Sequence, residues 1–382
     1  MSLRQHPLAE EFPLVPELCH LNHAAVGPWP RRSAEVVRRF AEDNATRGSL
    51  AYLDWLQVET RLRERLARLV GSTDTGSIAL LKNTSEALSV IAHGLPWRTG
   101  DNVVGIAQEF PSNRIVWESL APRGVDWRAL DLEQSSDPEG DLCALCDERT
   151  RLIAVSWVQY ARGLRLDLAR IGAFCRERDI LFCVDAIQGL GALPFSLTDS
   201  GADFVVADGH KWMLGPEGLA LLHVAPTQLE RLALHQFGWH MVADPGDFEQ
   251  RDWSPAPDAR RFECGSPNLL AAHVLESSLS LLEEVGTTTI ETLIRQRVDW
   301  LIAAIDRHGF ELLTPRPPER RAGIVTFRVP GVASEHLYPA LMRHQVLCAQ
   351  RGGGIRFSPH FHTTEETLER AMDTVIRLSS TL

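Results

Sequence analysis

The 382-residue chain lacks the segments that direct a protein to a membrane or to secretion. No apolar run is long enough to span a bilayer. The amino terminus has no basic stretch followed by an apolar core, as a signal peptide has. Internal repeats and low-complexity tracts are missing as well. These absences predict a cytoplasmic protein without a membrane partner.

The seven cysteines do not form the pattern of a disulfide framework. Cys143 and Cys146 make one isolated C-x-x-C pair, without a second pair or a nearby histidine ligand. Two residues on one face of a helix explain this pair better than a metal site, so we predict no metal. The formal net charge of −11 is spread along the chain, which gives no reason to expect nucleic acid as a partner.

Short apolar runs alternate with helical patterns through the first part of the chain. A helical pattern from about Arg31 to Val70 comes first. Strand candidates follow at 77–81, 102–106, 151–158, 180–184, 203–207 and 219–224. Continuous apolar strands separated by helices predict an α/β fold with a mostly parallel sheet that is covered on both faces.

The last third of the chain has a different pattern. A long helical stretch from about Leu269 to Arg307 precedes the strand-like segments GIVTFRV and GIRFS and helices near 334–343 and 364–380. We predict a large α/β domain over residues 17–255. The smaller α+β domain is predicted to comprise residues 256–382 together with the N-terminal segment 1–16.

Charged side chains follow two of the strand candidates. Asp185 comes directly after ILFCV, and Lys211 lies shortly after DFVVA. Functional groups collect at the carboxyl ends of strands in parallel sheets. If these two strands are neighbours, the Asp185 carboxylate and the Lys211 amine face one crevice. From these two residues alone, a structural salt bridge is an equally good explanation.

Two further segments end at the same predicted edge of the sheet. The segment NTSE at 83–86 resembles a capping box, but a helix start with free N–H groups and two hydroxyls also suits a phosphate. Phe110 follows the strand at 102–106, where it can pack in the core or stack on a flat ring. Gln188 adds an amide three residues after Asp185.

One ligand would use all of these groups. It carries a phosphate for the helix start, a flat ring for Phe110, a cationic ring nitrogen for Asp185 and an aldehyde for Lys211. That ligand is pyridoxal 5′-phosphate, whose bond to a lysine and whose acidic partner at the ring nitrogen are expected features. The apolar neighbours of Lys211 are then explained, because a lysine condensed with an aldehyde is no longer a free ammonium.

Six segments together resemble the class V aminotransferase family: NTSEAL, EFPSN, VDAIQG, ADGHKWMLGPEG, RFECGSPN and GIRFSPHFHTTEE. These fold-type I pyridoxal-phosphate enzymes include cysteine desulfurases, kynureninase and isopenicillin N epimerase-like proteins. The resemblance runs from about residue 20 to the end of the chain. It implies a fold-type I transferase fold with a seven-stranded sheet.

The resemblance also implies individual roles. Lys211 would bind the cofactor covalently and shuttle the substrate proton, and Asp185 would keep the ring nitrogen protonated. Arg356 would bind the substrate carboxylate. The implied cofactor-binding set is Thr84, Ser85, Phe110, Gln159, Asp185, Gln188, His210, Lys211 and Ser266.

Within that set, the hydroxyls of Thr84 and Ser85 and the ring of His210 would hold the phosphate, and the two glutamines would lie near the ring hydroxyl. Ser266 would reach the phosphate of a partner subunit, which implies a homodimer with active sites at the subunit interface. Asp208 replaces the family's usual hydroxyl residue. Because a carboxylate repels a phosphate, we expect the Asp208 side chain to point away from it.

We predict an aminotransferase whose partners are an amino acid and a keto acid. A lyase of the cysteine desulfurase, selenocysteine lyase or kynureninase kind stays open, as does a regulatory protein that binds the cofactor without turnover. Cys348 is the only candidate for a desulfurase thiol, and we expect it to be buried and inert because it ends an apolar run. No G-x-G-x-x-G follows the first strand, which excludes a dinucleotide-binding oxidoreductase.

Overall fold

A computed structural model describes residue 3, residues 5–249 and residues 251–382. Residues 1, 2 and 4 of the predicted N-terminal segment 1–16, and residue 250, lie outside this description. In the part of the chain that is described, no helix combines the length and the apolar character needed to cross a membrane.

The α-helices are, in chain order, α1 (Arg31–Arg47), α2 (Tyr52–Leu69), α3 (Thr84–Gly94), α4 (Ser112–Glu118), α5 (Pro138–Ala144), α6 (Leu168–Arg178), α7 (Leu197–Ser200), α8 (Leu269–Val285), α9 (Thr287–Arg307), α10 (Ser334–Arg343) and α11 (Glu365–Ser379). The strands are β1 (Cys19–His20), β2 (Ile78–Leu81), β3 (Asn102–Ile106), β4 (Asp126–Leu130), β5 (Thr150–Ser156), β6 (Leu181–Asp185), β7 (Phe204–Asp208), β8 (Ala220–Val224), β9 (Glu311–Leu312), β10 (Val325–Arg328), β11 (Val346–Leu347), β12 (Ala349–Arg351) and β13 (Gly354–Phe357).

The largest sheet has seven strands in the order β2-β8-β7-β6-β5-β3-β4. The strands from β7 to β4 in this order are parallel, and β8 runs antiparallel to both β7 and β2. The predicted α/β fold with a mostly parallel seven-stranded sheet is therefore confirmed. The strand β4 has no counterpart among the predicted strands, because it is a half-exposed edge strand without an apolar run.

Successive residues of the central strands face two separate cores. On β6, Phe182 and Val184 belong to the core on one face of the sheet, while Leu181 and Cys183 belong to the core on the other. This is the two-residue period of a strand that is buried on both sides. Cys183 is completely buried and packs as a small core residue.

Two long helical patterns are each divided into a pair of helices. The pattern predicted over 31–70 forms α1 and α2, which are separated at Gly48, where φ is +61°. The pattern predicted over 269–307 forms α8 and α9, which are separated at Gly286, where φ is +83°. A left-handed conformation interrupts a helix, and glycine adopts it at no steric cost.

A second, antiparallel sheet has the order β12-β13-β10-β9, and α9 packs on its β9 and β10. The short strand β1 pairs in parallel with β11, so the N-terminal part of the chain is attached to the C-terminal part. Helix α8 packs against α1 and α2. The division into domains at residue 256 stays a prediction.

Candidate active site

The carboxyl ends of β6 and β7 bring the key acid and the lysine together. These strands are parallel neighbours, with Asp185 in register with Val206, as the sequence analysis required. Asp185 is the last residue of β6, and Asp208 is the last residue of β7. Lys211 lies in the turn that follows. Phe110, Asp185 and Arg356 interact with the Lys211 amine. We call these four residues, together with Thr84 at the start of α3, the lysine cleft.

Lys211 is buried, with 8% of its surface exposed. Among the residues that the structure describes, none forms a hydrogen bond or an ion pair with its amine, whose Nζ lies 5.5 Å from the centre of the Phe110 ring. The pKa of Lys211 is lowered to about 8, chiefly by burial and also by the charge of Arg356, while the charge of Asp185 limits the decrease. A buried amine that lacks a bonding partner suits covalent chemistry.

The turn after Lys211 is held closed by a backbone hydrogen bond from Gly215 N to Gly209 O of 2.9 Å. Leu214 within this turn has φ of +58°, a left-handed conformation that is strained for a leucine. Its side chain is fully buried, so packing holds the backbone in place. Such strained positions cluster at active sites, and this one lies three residues after Lys211.

Asp185 is the buried acid of the lysine cleft. Its Oδ1 accepts a hydrogen bond of 3.0 Å from Ile187 N, while its Oδ2 accepts none from the residues described. Burial raises the pKa of Asp185 to about 6, and the Ile187 hydrogen bond and the Lys211 charge limit the rise. The carboxylate is therefore mostly ionised at neutral pH and has one oxygen left for a cationic ring nitrogen.

The start of α3 provides the predicted phosphate site. Asn83 caps the helix by accepting a hydrogen bond of 2.9 Å from Glu86 N. Thr84 Oγ1 is buried and has no hydrogen-bond partner in the described part of the chain. Ser85 Oγ donates to Ser112 Oγ at 2.8 Å. A helix start that carries an unpartnered buried hydroxyl fits an oxyanion.

His210 has a negatively charged neighbour. Its Nδ1 lies 2.9 Å from Asp208 Oδ1, although the two atoms are not aligned for a hydrogen bond. The Asp208 charge also acts on Asp185 and Lys211. Asp208 thus lies next to one of the residues predicted to hold the phosphate, His210. The expectation that its side chain points away from the phosphate stays a prediction.

The two predicted glutamines are bound by the protein itself. Gln188 donates to Ala24 O at 2.9 Å and accepts from Trp212 Nε1 at 2.8 Å. Gln159 Nε2 donates to Gln108 O at 3.0 Å, and its oxygen accepts two backbone N–H groups. Both amides are buried and positioned by these bonds. Their contact with the ring hydroxyl stays a prediction.

Arg356, on β13, is buried with 2% of its surface exposed. Its Nη1 donates to Tyr160 O at 2.6 Å and its Nη2 to Asn22 Oδ1 at 3.4 Å. The Nε has no partner among the described residues. Burial lowers the pKa of Arg356 to about 10. A buried guanidinium that has no carboxylate partner in the described chain and an open N–H suits a substrate carboxylate.

Sequence reasoning missed two residues of this region. Tyr160 packs edge-on against Phe110, with ring centres 5.3 Å apart, and its own carbonyl holds Arg356. Glu109 is buried and accepts a hydrogen bond of 2.6 Å from the backbone of Ser156, the register partner of Asp185. Burial raises the pKa of Glu109 to about 7. The segment EFPSN indicated a role for Phe110, but nothing in it predicted the contacts of the preceding residue, Glu109.

A group of buried histidines, the histidine seam, lies behind the lysine turn and consists of His20, His23, His360 and His362. His23 Nε2 is 3.0 Å from His362 Nε2, and His360 Nε2 is 3.1 Å from Trp212 O. Burial lowers the pKa of His20 to about 4 and that of His360 to about 3. It lowers the pKa of the other two well below the ordinary value.

Ser266 lies outside the lysine cleft of its own chain. It lines a separate cavity of about 270 Å³ together with Gly265, Glu263 and Lys82. This position is compatible with the predicted contact to a partner subunit, which stays a prediction.

The residues of the cleft fit pyridoxal 5′-phosphate. The unpartnered Thr84 hydroxyl at the start of α3 suits its phosphate, and the free oxygen of Asp185 suits its ring nitrogen. Phe110 is 42% exposed, so its ring is open to stacking. The Lys211 amine is available for the aldehyde. The donors, the acceptor and the flat surface match the chemistry of the cofactor.

Comparisons with known proteins show the family of the chain. The family model of aminotransferase class-V matches residues 43–379. A protein of Streptomyces clavuligerus named isopenicillin N epimerase is 32% identical, with 96% of this chain and 96% of the relative covered. A probable cysteine desulfurase of Methanothermobacter thermautotrophicus is 28% identical, with 98% of each chain covered.

Solved structures share the fold. An apo cysteine desulfurase from Thermococcus onnurineus has a TM-score of 0.87 at 22% identity and covers 100% of both chains. A C-DES mutant with glycine covalently linked to the PLP cofactor has a TM-score of 0.90 at 22% identity, covering 97% of this chain and 99% of that one. The fold and the site thus define a fold-type I pyridoxal 5′-phosphate enzyme. The chain belongs to the aminotransferase class-V family.

Proposed function

We propose that this enzyme is an aminotransferase, which moves an amino group between an α-amino acid and a keto acid. The observation that carries the proposal is the burial of Cys348, which is 1% exposed. The desulfurases of the family need a mobile cysteine that attacks the substrate sulfur. Burial raises the pKa of Cys348 to about 12, so its thiolate is not populated at neutral pH.

When bound, pyridoxal 5′-phosphate supplies an aldehyde that condenses with amines and a ring that takes up negative charge from the substrate Cα. Asp185 would hold the proton on the ring nitrogen through its open oxygen, and a pKa of about 6 leaves Asp185 mostly charged at neutral pH. Phe110, whose side chain is partly exposed, would stack on the ring.

Lys211 moves the proton at the substrate Cα. A pKa of about 8 leaves part of the lysine population neutral near pH 7.5, so the amine can accept a proton. Arg356 orients the substrate by binding its carboxylate through the open Nε and the neighbouring nitrogens. Its bonds to Tyr160 and Asn22 fix the guanidinium before substrate arrives.

A panel of amino acids and keto acids tests the proposal. The correct amino acid should remove the visible absorbance band of the lysine-bound cofactor and release its keto acid, and a keto acid should restore the band. The variant Cys348→Ser should keep its rate within roughly twofold, and Cys264→Ser serves as the control. Sulfide release from cysteine that is lost in Cys348→Ser would contradict the proposal.

Inversion of the substrate Cα is a second candidate, because the Streptomyces relative at 32% identity is named an epimerase. Inversion requires proton transfer at both faces of Cα. Besides Lys211, the Tyr160 hydroxyl is a candidate, since its ring packs on Phe110 and its carbonyl holds Arg356. In D₂O, an epimerase incorporates deuterium and forms the other enantiomer without keto acid, whereas an aminotransferase forms keto acid.

A homodimer with active sites at the subunit interface and a cytoplasmic location are part of the same proposal. An exposed aromatic group next to the Ser266 segment supports the dimer: Phe237 is 62%, Trp239 41%, Phe248 77% and Trp253 53% exposed. Sedimentation analysis should give twice the chain mass. Ser266→Ala should weaken cofactor binding only if this serine reaches a phosphate.

A further inference from the structure

A buried group of charged side chains outside the lysine cleft carries more negative than positive charge. Arg63 on α2 donates to Glu59 Oε1 at 2.7 Å, to Glu263 Oε1 at 2.6 Å and to Glu263 Oε2 at 2.7 Å. All three side chains are buried, at 7–8% exposure or less. Two carboxylates and one guanidinium leave one negative charge uncompensated, which is costly at a buried position.

Two atoms of this group have no partner among the described residues: Glu59 Oε2 and His240 Nδ1. His240 is 8% exposed, and its Nδ1 lies 3.8 Å from Glu263 Oε2. Ligand atoms of Glu59, His240 and Glu263 all lie within 4.8 Å of one another. A buried group whose unsatisfied atoms lie this close together calls for a missing partner.

We propose that Glu59, His240 and Glu263 form a binding site for a divalent transition-metal cation of the Zn²⁺ type. The separation of 3.8 Å between His240 Nδ1 and Glu263 Oε2 is long for an N–H···O hydrogen bond. It suits two ligand atoms that share one ion at about 2.0–2.2 Å each. One imidazole and two carboxylates form a ligand set that Zn²⁺ accepts, whereas Mg²⁺ prefers oxygen ligands alone.

Arg63 does not exclude the cation, because each carboxylate oxygen has two acceptor positions. Arg63 bonds Glu59 only through Oε1, so the second oxygen of that carboxylate is open. Glu59 and Glu263 both line the cavity of about 270 Å³ that also contains Gly265 and Ser266. This cavity provides the route by which an ion enters.

The bound ion would join three segments of the chain. Glu59 lies on α2, His240 lies in the turn Trp239–Met241, and Glu263 directly precedes the Cys264–Ser266 segment. Ordering of that last segment is the structural effect that we expect. The inference is independent of the reaction catalysed at Lys211.

The test is a Zn²⁺ titration of the cofactor-loaded protein after treatment with a chelator. Equilibrium dialysis with elemental analysis should find one Zn²⁺ per chain, and saturation should raise the thermal midpoint by a few degrees. Mg²⁺ should not replace it. Glu59→Gln and His240→Asn should each weaken Zn²⁺ binding by at least about tenfold, the loss that even a residue outside the ligand shell can cause.

Glu139→Gln is the matched control, because Glu139 is also a buried carboxylate paired with an arginine, Arg320. His240→Asn removes an Nδ1 that bonds nothing in the described chain, so this variant tests the site even if Glu59→Gln fails to fold. The proposal is wrong if the parent binds no Zn²⁺ or if both variants bind it like the parent.

Discussion

The lysine cleft and the histidine seam both adjoin Trp212, which follows Lys211 in the chain and lies next to the rings of His23 and His360. Burial has opposite results in the two regions. The cleft contains buried polar groups without hydrogen-bond partners. The Lys211 amine, the Arg356 Nε and the Thr84 hydroxyl have none in the described chain. The seam contains buried rings that are neutral, and both nitrogens of His23 and of His360 have partners. His20 Nδ1 is the exception in the seam, because no described residue bonds it.

The difference separates a binding region from a structural one. A buried polar group without a partner is costly, so open groups indicate a ligand that completes them. The seam nitrogens that have hydrogen-bond partners do not carry this cost, because the protein itself supplies their bonds. The following predictions either substitute residues of the cleft or disturb the hydrogen bonds of the seam by protonation.

Removal of Lys211 should have the largest effect. Lys211→Ala should lower kcat by roughly 10³–10⁴-fold, because the proton-transfer group at Cα is lost. Lys82→Ala is the matched control, since Lys82 is exposed and is the chain's only other lysine. Borohydride reduction of the parent followed by peptide mapping should place the cofactor on Lys211. A label on Lys82 would overturn the assignment.

Neutralisation of Asp185 should come next. Asp185→Asn keeps the shape of the side chain but removes the charge that holds the ring proton, and kcat should fall on the order of 100-fold. Asp203→Asn, a carboxylate at the other end of the same sheet, should leave kcat nearly unchanged. A near-normal rate for Asp185→Asn would show that another group protonates the ring.

Arg356→Lys keeps the positive charge of the cleft but loses the two-pronged geometry. KM for the amino acid should rise roughly 10- to 100-fold, the equivalent of one charge-assisted hydrogen bond, while the cofactor spectrum stays unchanged. Arg351→Lys, on the neighbouring strand β12, is the control. If the parent accepts simple amines as readily as amino acids, Arg356 does not bind the carboxylate.

Acid should lower the stability of the folded protein by protonating the histidine seam. Because the folded pKa values lie below the ordinary value of 6.5, the unfolded state binds more protons as the pH falls below 6.5. Stability is therefore complete above that pH and decreases below it, by about 1.4 kcal/mol per histidine per pH unit. Urea midpoints of the parent at pH 7 and pH 5.5 should differ more than those of His362→Gln.

His336→Gln, at an exposed position on α10, should show the parent's dependence on pH. An unchanged pH dependence in His362→Gln would mean that acid acts elsewhere in the molecule.

The elements of the fold were predictable because their signals are local. Apolar runs located β3 and β6 within a residue of their actual ends, and the motif after β7 pointed to Lys211. The break at Gly48 and the edge strand β4 were missed, because one glycine does not reveal its φ and a half-exposed strand has no apolar run.

Contacts between distant segments were not predictable. Nothing in the sequence shows that Asn22 bonds Arg356, or that the Gln188 amide is bound by Ala24 and Trp212. The histidine seam joins residues near 20 with residues near 360, so no spacing in the sequence reveals it. Such contacts depend on how the two sheets are placed, which only the folded chain defines.

The segment from Cys19 to Gly27 has a consequence for the energetics of binding. On one side it pairs with β11 and bonds Arg356 through Asn22. On the other side Gly27 N donates to His210 O at 2.8 Å, and a Cβ at Gly27 would lie 2.4 Å from Lys211 O. Arg356 and the lysine turn therefore contact one continuous stretch of backbone. We expect substrate and cofactor binding to be linked through it, and such a linkage is reciprocal: the factor by which a substrate carboxylate tightens cofactor retention equals the factor by which the cofactor tightens carboxylate binding.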